Sequence, residues 1–451
     1  MKTLNRREPV ILLLGDLFFF VLSLWLALFV RAGFDAPSKA LFFTHFKPFS
    51  LLFLVWIVVF YIAGLYEKHT VLLRSRLPII IANTQFANAA LAVIFFYIVP
   101  LFGITPKTIL FIYLVLSFVF ISLWRMYGYF LVGQKKPEKA IIIGSGAEMR
   151  ELYEEVNHNP LFGLEFVTSV DLNRADEAGF WDEIVSRIYA ENVSIVAIDL
   201  MHARVEPVLP HLYNLIFSRV TFVDMHKIYE DVFKRVPLSL VRYNWFLENI
   251  SVRTTGAYDA LKRLMDIVLA GIGGLASLVF YPFVILAIKL DDGGPIFISQ
   301  ARVGRHNKIV KIHKFRTMSG NDSGYYEGGA TQLAVTRAGA FLRNSRIDEL
   351  PQLWNVLRGD ISLIGPRPEL PALVSLYEKE IPYYKVRHIL KPGLSGWAQI
   401  YQENHPHHGE AVLETKEKLS YDLYYIKNHS FLLDVKIVLR TIRTVFSRAG
   451  R

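Results

Sequence analysis

The residues best suited to chemistry lie between Phe297 and Trp397, where Lys314-Phe315-Arg316-Thr317-Met318, Arg343, Asp348-Glu349-Leu350-Pro351, Gly359-Asp360 and Gly365-Pro366-Arg367-Pro368 follow one another. A hard cation such as Mg²⁺ takes one or two carboxylates together with substrate phosphate oxygens, and an adjacent Asp-Glu pair can supply them. Arginines add bidentate contacts to phosphate. A carboxylate can also attack phosphorus itself and form an acyl phosphate, dividing one displacement into two easier ones, so Asp348 or Glu349 is a candidate nucleophile. Spacing alone leaves plainer readings open. Asp-Glu ahead of a helix is also an ordinary acidic first turn favoured by the macrodipole. Arg343 and Arg367 would serve equally as surface ion-pair partners, and Gly365-Pro366-Arg367-Pro368 as a rigid turn.

Other candidate sites are weaker. His405-Pro406-His407-His408 has the look of a metal site, but closely spaced loop histidines are more often incidental, and no metal is assigned there. The 451 residues contain no cysteine, which excludes disulfides and cysteine-ligated zinc or iron–sulfur centres and leaves histidine and carboxylate sites open. A formal charge of +10 calls for anionic partners. In a chain that is 53% hydrophobic these are read as lipid headgroups and phosphorylated substrates, not nucleic acid.

Elements that could position these residues begin in the first third, where apolar runs at about 10–30, 49–66, 79–101 and 109–131 each approach the ~20 residues needed to cross a bilayer. They predict four transmembrane helices within 1–134. The first run lacks an obvious small-residue cleavage site and is followed by further spans, so it reads as an anchor. Lys2, Arg6 and Arg7 precede the first span, Lys68, Arg74 and Arg76 join the second to the third, and Arg125, Lys135, Lys136 and Lys139 accompany the end of the fourth. The positive-inside bias makes these stretches cytoplasmic.

After Lys135-Lys136-Pro137 short apolar runs alternate with helix-like stretches, the texture of an α/β domain, expected to span 135–250. Strands are predicted at 140–143, 166–171, 195–199 and 220–224. Gly144-Ser145-Gly146 follows the first strand and Asp171 closes the second, as in a Rossmann-like dinucleotide site. Met149 stands where G-x-G-x-x-G needs its third glycine, which favours a structural or regulatory domain. Tyr258 and Lys262 have the Tyr-x-x-x-Lys spacing of short-chain dehydrogenases but lie beyond the predicted sheet, and their spacing reads as coincidence.

Residues 267–288 carry no charge and are long enough to span. Basic residues flank them on both sides: Arg253, Lys262 and Arg263 before, Lys289, Arg302, Arg305, Lys308, Lys311, Lys314 and Arg316 after. Both ends therefore favour the cytoplasm, and the segment must turn back. Pro282 removes a helix hydrogen bond inside the run, and Gly271, Gly273 and Gly274 loosen its first half. A re-entrant, broken helix over about 264–290 is expected, opening a 251–451 domain; a fifth, kinked span is the alternative. Residues 430–451 suit an amphipathic helix on an anionic membrane surface, or equally one whose stripe packs within the domain.

The run Ser345-Arg346-Ile347-Asp348-Glu349-Leu350-Pro351-Gln352-Leu353-Trp354-Asn355-Val356-Leu357-Arg358-Gly359-Asp360, then Gly365-Pro366-Arg367-Pro368 and Lys391-Pro392-Gly393-Leu394-Ser395-Gly396-Trp397-Ala398-Gln399, closely resembles the bacterial sugar transferases, or polyprenyl phosphoglycosyltransferases. The resemblance runs from about Tyr258 to the C-terminus, and the preceding spans and Rossmann-like domain resemble the large polytopic branch. It implies a mainly α-helical, membrane-associated catalytic domain that converts a UDP-sugar and undecaprenyl phosphate to undecaprenyl-diphosphate-sugar and UMP, on the cytoplasmic face of a bacterial inner membrane. This would be the first membrane step of capsule, exopolysaccharide or O-antigen synthesis. It further implies Asp348 as nucleophile, Glu349 as the Mg²⁺ ligand, Arg343 and Arg367 on phosphate oxygens, and Lys314, Arg316 and Asp422 in the same polar cluster. Tyr281 departs from the family, in which Ser often precedes the proline.

Two rival functions fit parts of the chain. A membrane-anchored nucleotide-sugar dehydratase or epimerase would hold NAD at Gly144-Ser145-Gly146 but leave the last third without a task. A non-enzymatic scaffold would dock assembly enzymes through the middle domain. A homodimer is expected from the size of that domain and the habits of membrane enzymes. No residue separates galactose, glucose and N-acetylated hexoses as the transferred sugar.

Overall fold

The computed structural model describes residues 7–66, 77–98, 107–132, 137–159, 162–174, 180–202, 204–213, 215, 220–250, 256–319, 334–402 and 412–447. The basic stretch 68–76, Arg253 and the His405–His408 string lie outside them. The chain forms two compact units, residues 1–198 with 204–223 and residues 199–203 with 224–451.

The first unit opens with helices α1 (Arg7–Arg31), α2 (Lys39–Ile62), α3 (Leu77–Ile98) and α4 (Lys107–Val132), each long and apolar enough to cross a bilayer. Their packing fits a membrane bundle. Three match the apolar runs closely. The second starts about ten residues before its run, because Ser38 caps it by accepting a hydrogen bond from the Leu41 N–H at 3.2 Å. Hydropathy locates the apolar stretch, whereas capping sets the helix start.

Lipid gives little apolar drive between helices, so dispersion and hydrogen bonds must hold them. Trp56 stacks on Tyr113 at 5.2 Å and donates its indole N–H to the Asn88 carbonyl at 3.1 Å. In the first half of α1, Asp16 forms a buried ion pair with Arg125 of α4. Tyr66 donates to Asp16 at 2.7 Å, and Arg125 also donates to the Leu65 carbonyl at 2.6 Å, tying the turn after α2 to both helices.

The remainder of this unit is a four-stranded sheet of β1 (Glu138–Gly144), β2 (Leu164–Asp171), β3 (Ile195–Ile198) and β4 (Thr221–Asp224), in the order β2-β1-β3-β4, with β1 parallel to β2 and β3. Each strand lies within two residues of its predicted place. Ala140 to Ile143 are completely buried, as expected of an inner parallel strand covered on both faces. Helices α5 (Gly146–His158), α6 (Phe180–Ala190) and α7 (Leu209–Tyr213) connect the strands. Met149 is a buried side chain of α5, so the position that would need glycine in a dinucleotide fingerprint serves packing.

The second unit begins earlier than the composition change near residue 250. Helices α8 (Met225–Phe233) and α9 (Tyr243–Asn249), grouped in the sequence with the α/β domain, lie in this unit: Val236, Val241 and Trp245 share a core with Tyr377, Tyr384, Leu419 and Leu423. The Trp397 indole donates to the Lys234 carbonyl at 2.8 Å. Periodicity identifies an amphipathic helix but does not name the core that receives it.

The uncharged run at 267–288 is a broken pair, α10 (Gly256–Ser277) and α11 (Tyr281–Asp291), bent by 56°. Pro282 stands at the start of α11, where its missing N–H leaves no bond unmade. Gly271, Gly273 and Gly274 are ordinary members of α10, and the break falls at Leu278–Phe280. The rest of the unit comprises an antiparallel hairpin, β5 (Phe297–Val303) and β6 (Ile309–Phe315), helices α12 (Arg337–Asn344) and α13 (Gln352–Arg358), the parallel pair β7 (Ser362–Ile364) and β8 (Gly393–Ser395), and helices α14 (Pro371–Glu380), α15 (Trp397–Tyr401), α16 (Val412–Asn428) and α17 (Phe431–Ser447). Helix α17 packs within the unit: Ile437 is wholly buried in a core with Trp397, Tyr421 and Tyr425.

Arg125→Met leaves the Asp16 carboxylate buried without its partner and should cost about 3–5 kcal/mol, whereas Asp16→Leu with Arg125→Met should recover most of the loss. Thermal unfolding followed by fluorescence-detected gel filtration in detergent measures both.

Candidate active site

Four backbone devices bring the chemically able residues together. Lys314 lies near the end of β6. Asp348 and Glu349 occupy a single 3-10 turn, Ile347–Glu349, entered through Arg346 at φ +56°, a left-handed conformation that costs a non-glycine residue energy and is kept only where its surroundings impose it. Helix α12 lies directly on the strand extension: a Cβ at Gly339 would fall 1.9 Å from the Thr317 carbonyl oxygen. Arg343, on the same helix, donates Nε–H to Thr317 Oγ1 at 2.9 Å. Last, the Gly365-Pro366-Arg367-Pro368 turn abuts β8 backbone to backbone, since a Cβ at Gly393 would lie 2.1 Å from the Gly365 nitrogen. Only glycine permits that approach.

The outcome is a compact charge cluster. Arg367 donates to Glu349 Oε1 at 2.8 Å, and Lys314 approaches the same oxygen at 3.4 Å. Burial alone would raise the Glu349 carboxyl, but Arg367 and Lys314 outweigh it and hold the group far below the usual carboxylate range. Asp348 is 8% exposed and has the opposite balance. Burial and the neighbouring Glu349 charge push it up, Lys314, Arg343 and Arg367 pull it back, and it comes to rest at about 6. The Lys314 ammonium is lowered by burial against the upward pull of Glu349. Two adjacent carboxylates are thus driven apart, one permanently ionised and one poised near neutrality, as environment does in paired acid sites.

Arg343, Arg367, Lys314, Asp348 and Glu349 therefore share one site. Arg316 pairs with Asp292, just past the end of α11. Asp422, 1% exposed, belongs to a second cluster: it pairs with Arg387 at 2.8 Å, Arg387 lies 3.6 Å from Glu369, and Glu369 is also bound by Lys418. Burial would raise Glu369, but Lys418 and Arg387 bring it down to about 2. This cluster underlies the turn, since Arg387 donates to the Arg367 carbonyl at 3.0 Å. Arg387, Glu369 and Lys418 have no motif, and a charge buried by tertiary packing leaves no signal in local sequence. Asn355 stands in the run that carries the resemblance, but its role was not legible there. Fully buried in α13, it accepts from the His313 N–H at 3.0 Å and donates to the Lys311 carbonyl at 2.8 Å, fixing α13 to the strand of Lys314.

Tyr258 and Lys262 do not form a dehydrogenase pair. Each donates to Asp434 of α17 at 2.9 Å, and Tyr425 donates to the same carboxylate at 2.6 Å.

Residues 257–448, from α10 to the end of α17, match the family described as Bacterial sugar transferase. Over 191 residues the chain is 39% identical to the uncharacterized sugar transferase EpsL of Bacillus subtilis (strain 168), a match covering 42% of this chain and 89% of that protein. The chain belongs to the bacterial sugar transferase family. It is 45% identical over 200 residues to the UDP-N-acetylgalactosamine-undecaprenyl-phosphate N-acetylgalactosaminephosphotransferase of Aeromonas hydrophila, covering 43% of this chain and 45% of that one. To the undecaprenyl-phosphate glucose phosphotransferase of Komagataeibacter xylinus it is 32% identical over 330 residues, 69% of this chain and 59% of that one. The chain thus spans roughly half the length of these two relatives, and the charge cluster lies wholly within the family match.

Because its folded pKa is raised, Asp348 contributes stability below the unfolded value near 4 and loses it as pH rises through about 6. Asp348→Asn should accordingly melt at the same or a higher temperature than the native chain at pH 8. The difference should shrink as pH falls from 8 to 5, as read by differential scanning fluorimetry in detergent.

Proposed function

We propose that this chain transfers a sugar 1-phosphate from a UDP-sugar to undecaprenyl phosphate, giving undecaprenyl-diphosphate-sugar and UMP, through a phosphosugar carried on Asp348. The observation that carries the reading is the split of the carboxylate pair: Glu349 is neutralised by Arg367 and Lys314, and Asp348 is buried with a pKa of about 6. A nucleophile needs to be ionised at working pH yet poorly solvated, and a carboxylate in this range meets both needs. An Asp348 oxygen attacks the sugar-bearing phosphorus, the bond from that phosphorus to the bridging oxygen breaks, and UMP leaves. A phosphate oxygen of the polyprenyl acceptor then attacks the same phosphorus, and the acyl-phosphate bond breaks to return the Asp348 carboxylate. Arg343 and Arg367 stabilise charge on the non-bridging oxygens as each transition state forms.

The donor set also fits Mg²⁺. Asp348 and Glu349, adjacent on one 3-10 turn, suit a cation held by one or two carboxylates and completed by the diphosphate of the substrate. Glu349 would hold it, with Asp348 beside it, and the ion would neutralise diphosphate charge when bound. Helices α10 and α11 are read as a re-entrant element in the cytoplasmic leaflet of a bacterial inner membrane. The basic residues at both ends and the 56° bend support that reading, and so does the need to reach cytosolic nucleotide sugars. The parallel sheet is read as Rossmann-like. The names of the two phosphotransferase relatives support undecaprenyl phosphate as acceptor.

Purified protein in nanodiscs, offered a panel of UDP-sugars with and without undecaprenyl phosphate, should release UMP in a stoichiometric burst without acceptor and turn over with it. Absence of UMP with every donor would refute the assignment. Asp348→Asn should lose at least about a thousandfold in turnover. In the native chain kcat/KM should fall about tenfold per pH unit below 6 and level off above it, because only the ionised Asp348 attacks. EDTA should abolish activity and Mg²⁺ restore it.

A further inference from the structure

Helix α13 touches both arms of the broken pair. From α10, Arg263 donates to the Val356 carbonyl at 2.7 Å and to the Leu357 carbonyl at 2.6 Å, satisfying the C-terminal oxygens that a helix cannot bond internally. From α11, the Tyr281 hydroxyl accepts the Trp354 indole N–H at 3.2 Å, and its ring meets the buried Phe315 edge-on at 4.9 Å. Between these ties, glycines let α10 lie close: a Cβ at Gly273 would reach Leu353 at 3.5 Å, and one at Gly274 would reach the Trp354 ring at 3.9 Å.

The break and its angle have different causes. Ser277 donates to the Gly274 carbonyl at 2.6 Å in the last turn of α10, a local bond that disturbs the helix ladder, and Pro282 starts α11 afresh. Neither dictates how far the second arm swings. Helix α13 does, because one end is capped by arm one while its tryptophan is held by arm two. Further ties keep α11 in place: Asp291 accepts from the Ala338 N–H at 2.8 Å, and Asp292 pairs with Arg316.

The same helix follows directly on Asp348-Glu349. We infer that α13 is a strut that sets the bend of the pair and the height of Asp348 above the lipid side, with Tyr281 and Arg263 as positioning residues for the acceptor half-reaction. The inference rests on the transfer reaction proposed above. Lys314, Arg343 and Arg367 come from other elements, and Asn355 holds α13 to the strand of Lys314 independently of Tyr281, so the donor half-reaction survives loss of the Tyr281 bond.

The test uses the full chain in nanodiscs. Tyr281→Phe keeps the ring and removes only the hydroxyl, and Tyr281→Ser removes both. Each should lower acceptor-dependent turnover by about fivefold or more, the scale of one hydrogen bond, while the UMP burst without acceptor stays within twofold. Adding Trp354→Phe to Tyr281→Phe should cost nothing further. Because the chain has no cysteine, nitroxide labels at Leu261→Cys and Leu290→Cys report the separation of the two arms by pulsed electron resonance. The distribution should be narrow in the native background and broader or longer with Tyr281→Phe. Unchanged turnover, equal losses of burst and turnover, or an unaltered distance distribution would each overturn the strut. A native chain that releases no UMP would instead sink the transfer reaction, and the label distances would still decide the strut.

Discussion

Two neighbouring carboxylates withdrawn from water cannot both be ionised unless cations are built in beside them, and the second unit is arranged around that constraint. Arg367 and Lys314 come from two separate elements and meet on a single oxygen of Glu349. Once Glu349 is compensated, Asp348 is left with the residual field of those cations and Arg343, against burial and against its neighbour. The poise of Asp348 is a property of the whole cluster.

Each cation must in turn be held, and the supports are backbone contacts and buried ion pairs more than apolar packing. Arg367 stands on a turn whose Gly365 meets the opposite strand with no room for a side chain, above a network of Arg387, Asp422, Glu369 and Lys418 that is almost entirely buried. Such a network costs desolvation and adds little net stability. Its contribution is placement, because buried charges with satisfied partners tolerate few alternative arrangements. Lys314 is fixed through Asn355, which fastens α13 to β6 on two sides.

Much of this was legible in the residues. Apolar runs located the four long apolar helices, alternation located the strands of the sheet, and the acidic pair with its flanking arginines pointed to phosphate chemistry. What could not be read depends on partners distant in sequence. The start of α2 depended on a cap at Ser38, and the placement of α8 and α9 depended on a core made by α14 and α16. Asp422 belongs under the turn that carries Arg367, and Arg316 against the end of α11, for reasons that exist only once the chain is folded. Tyr258 and Lys262 imitated a catalytic motif because both must reach one buried carboxylate from adjacent turns of a helix.

That carboxylate, Asp434, has a bearing on biosynthesis. Lys262 and its acceptor are 172 residues apart, so α10 is synthesised long before α17 exists. At a ribosomal rate of about 5–20 residues per second, the interval is about 10–35 seconds. Throughout it the lysine must be hydrated or neutralised by another anion. The broken pair therefore acquires its final seating only once α17 has been made, and truncation of α17 would leave Lys262 without its carboxylate.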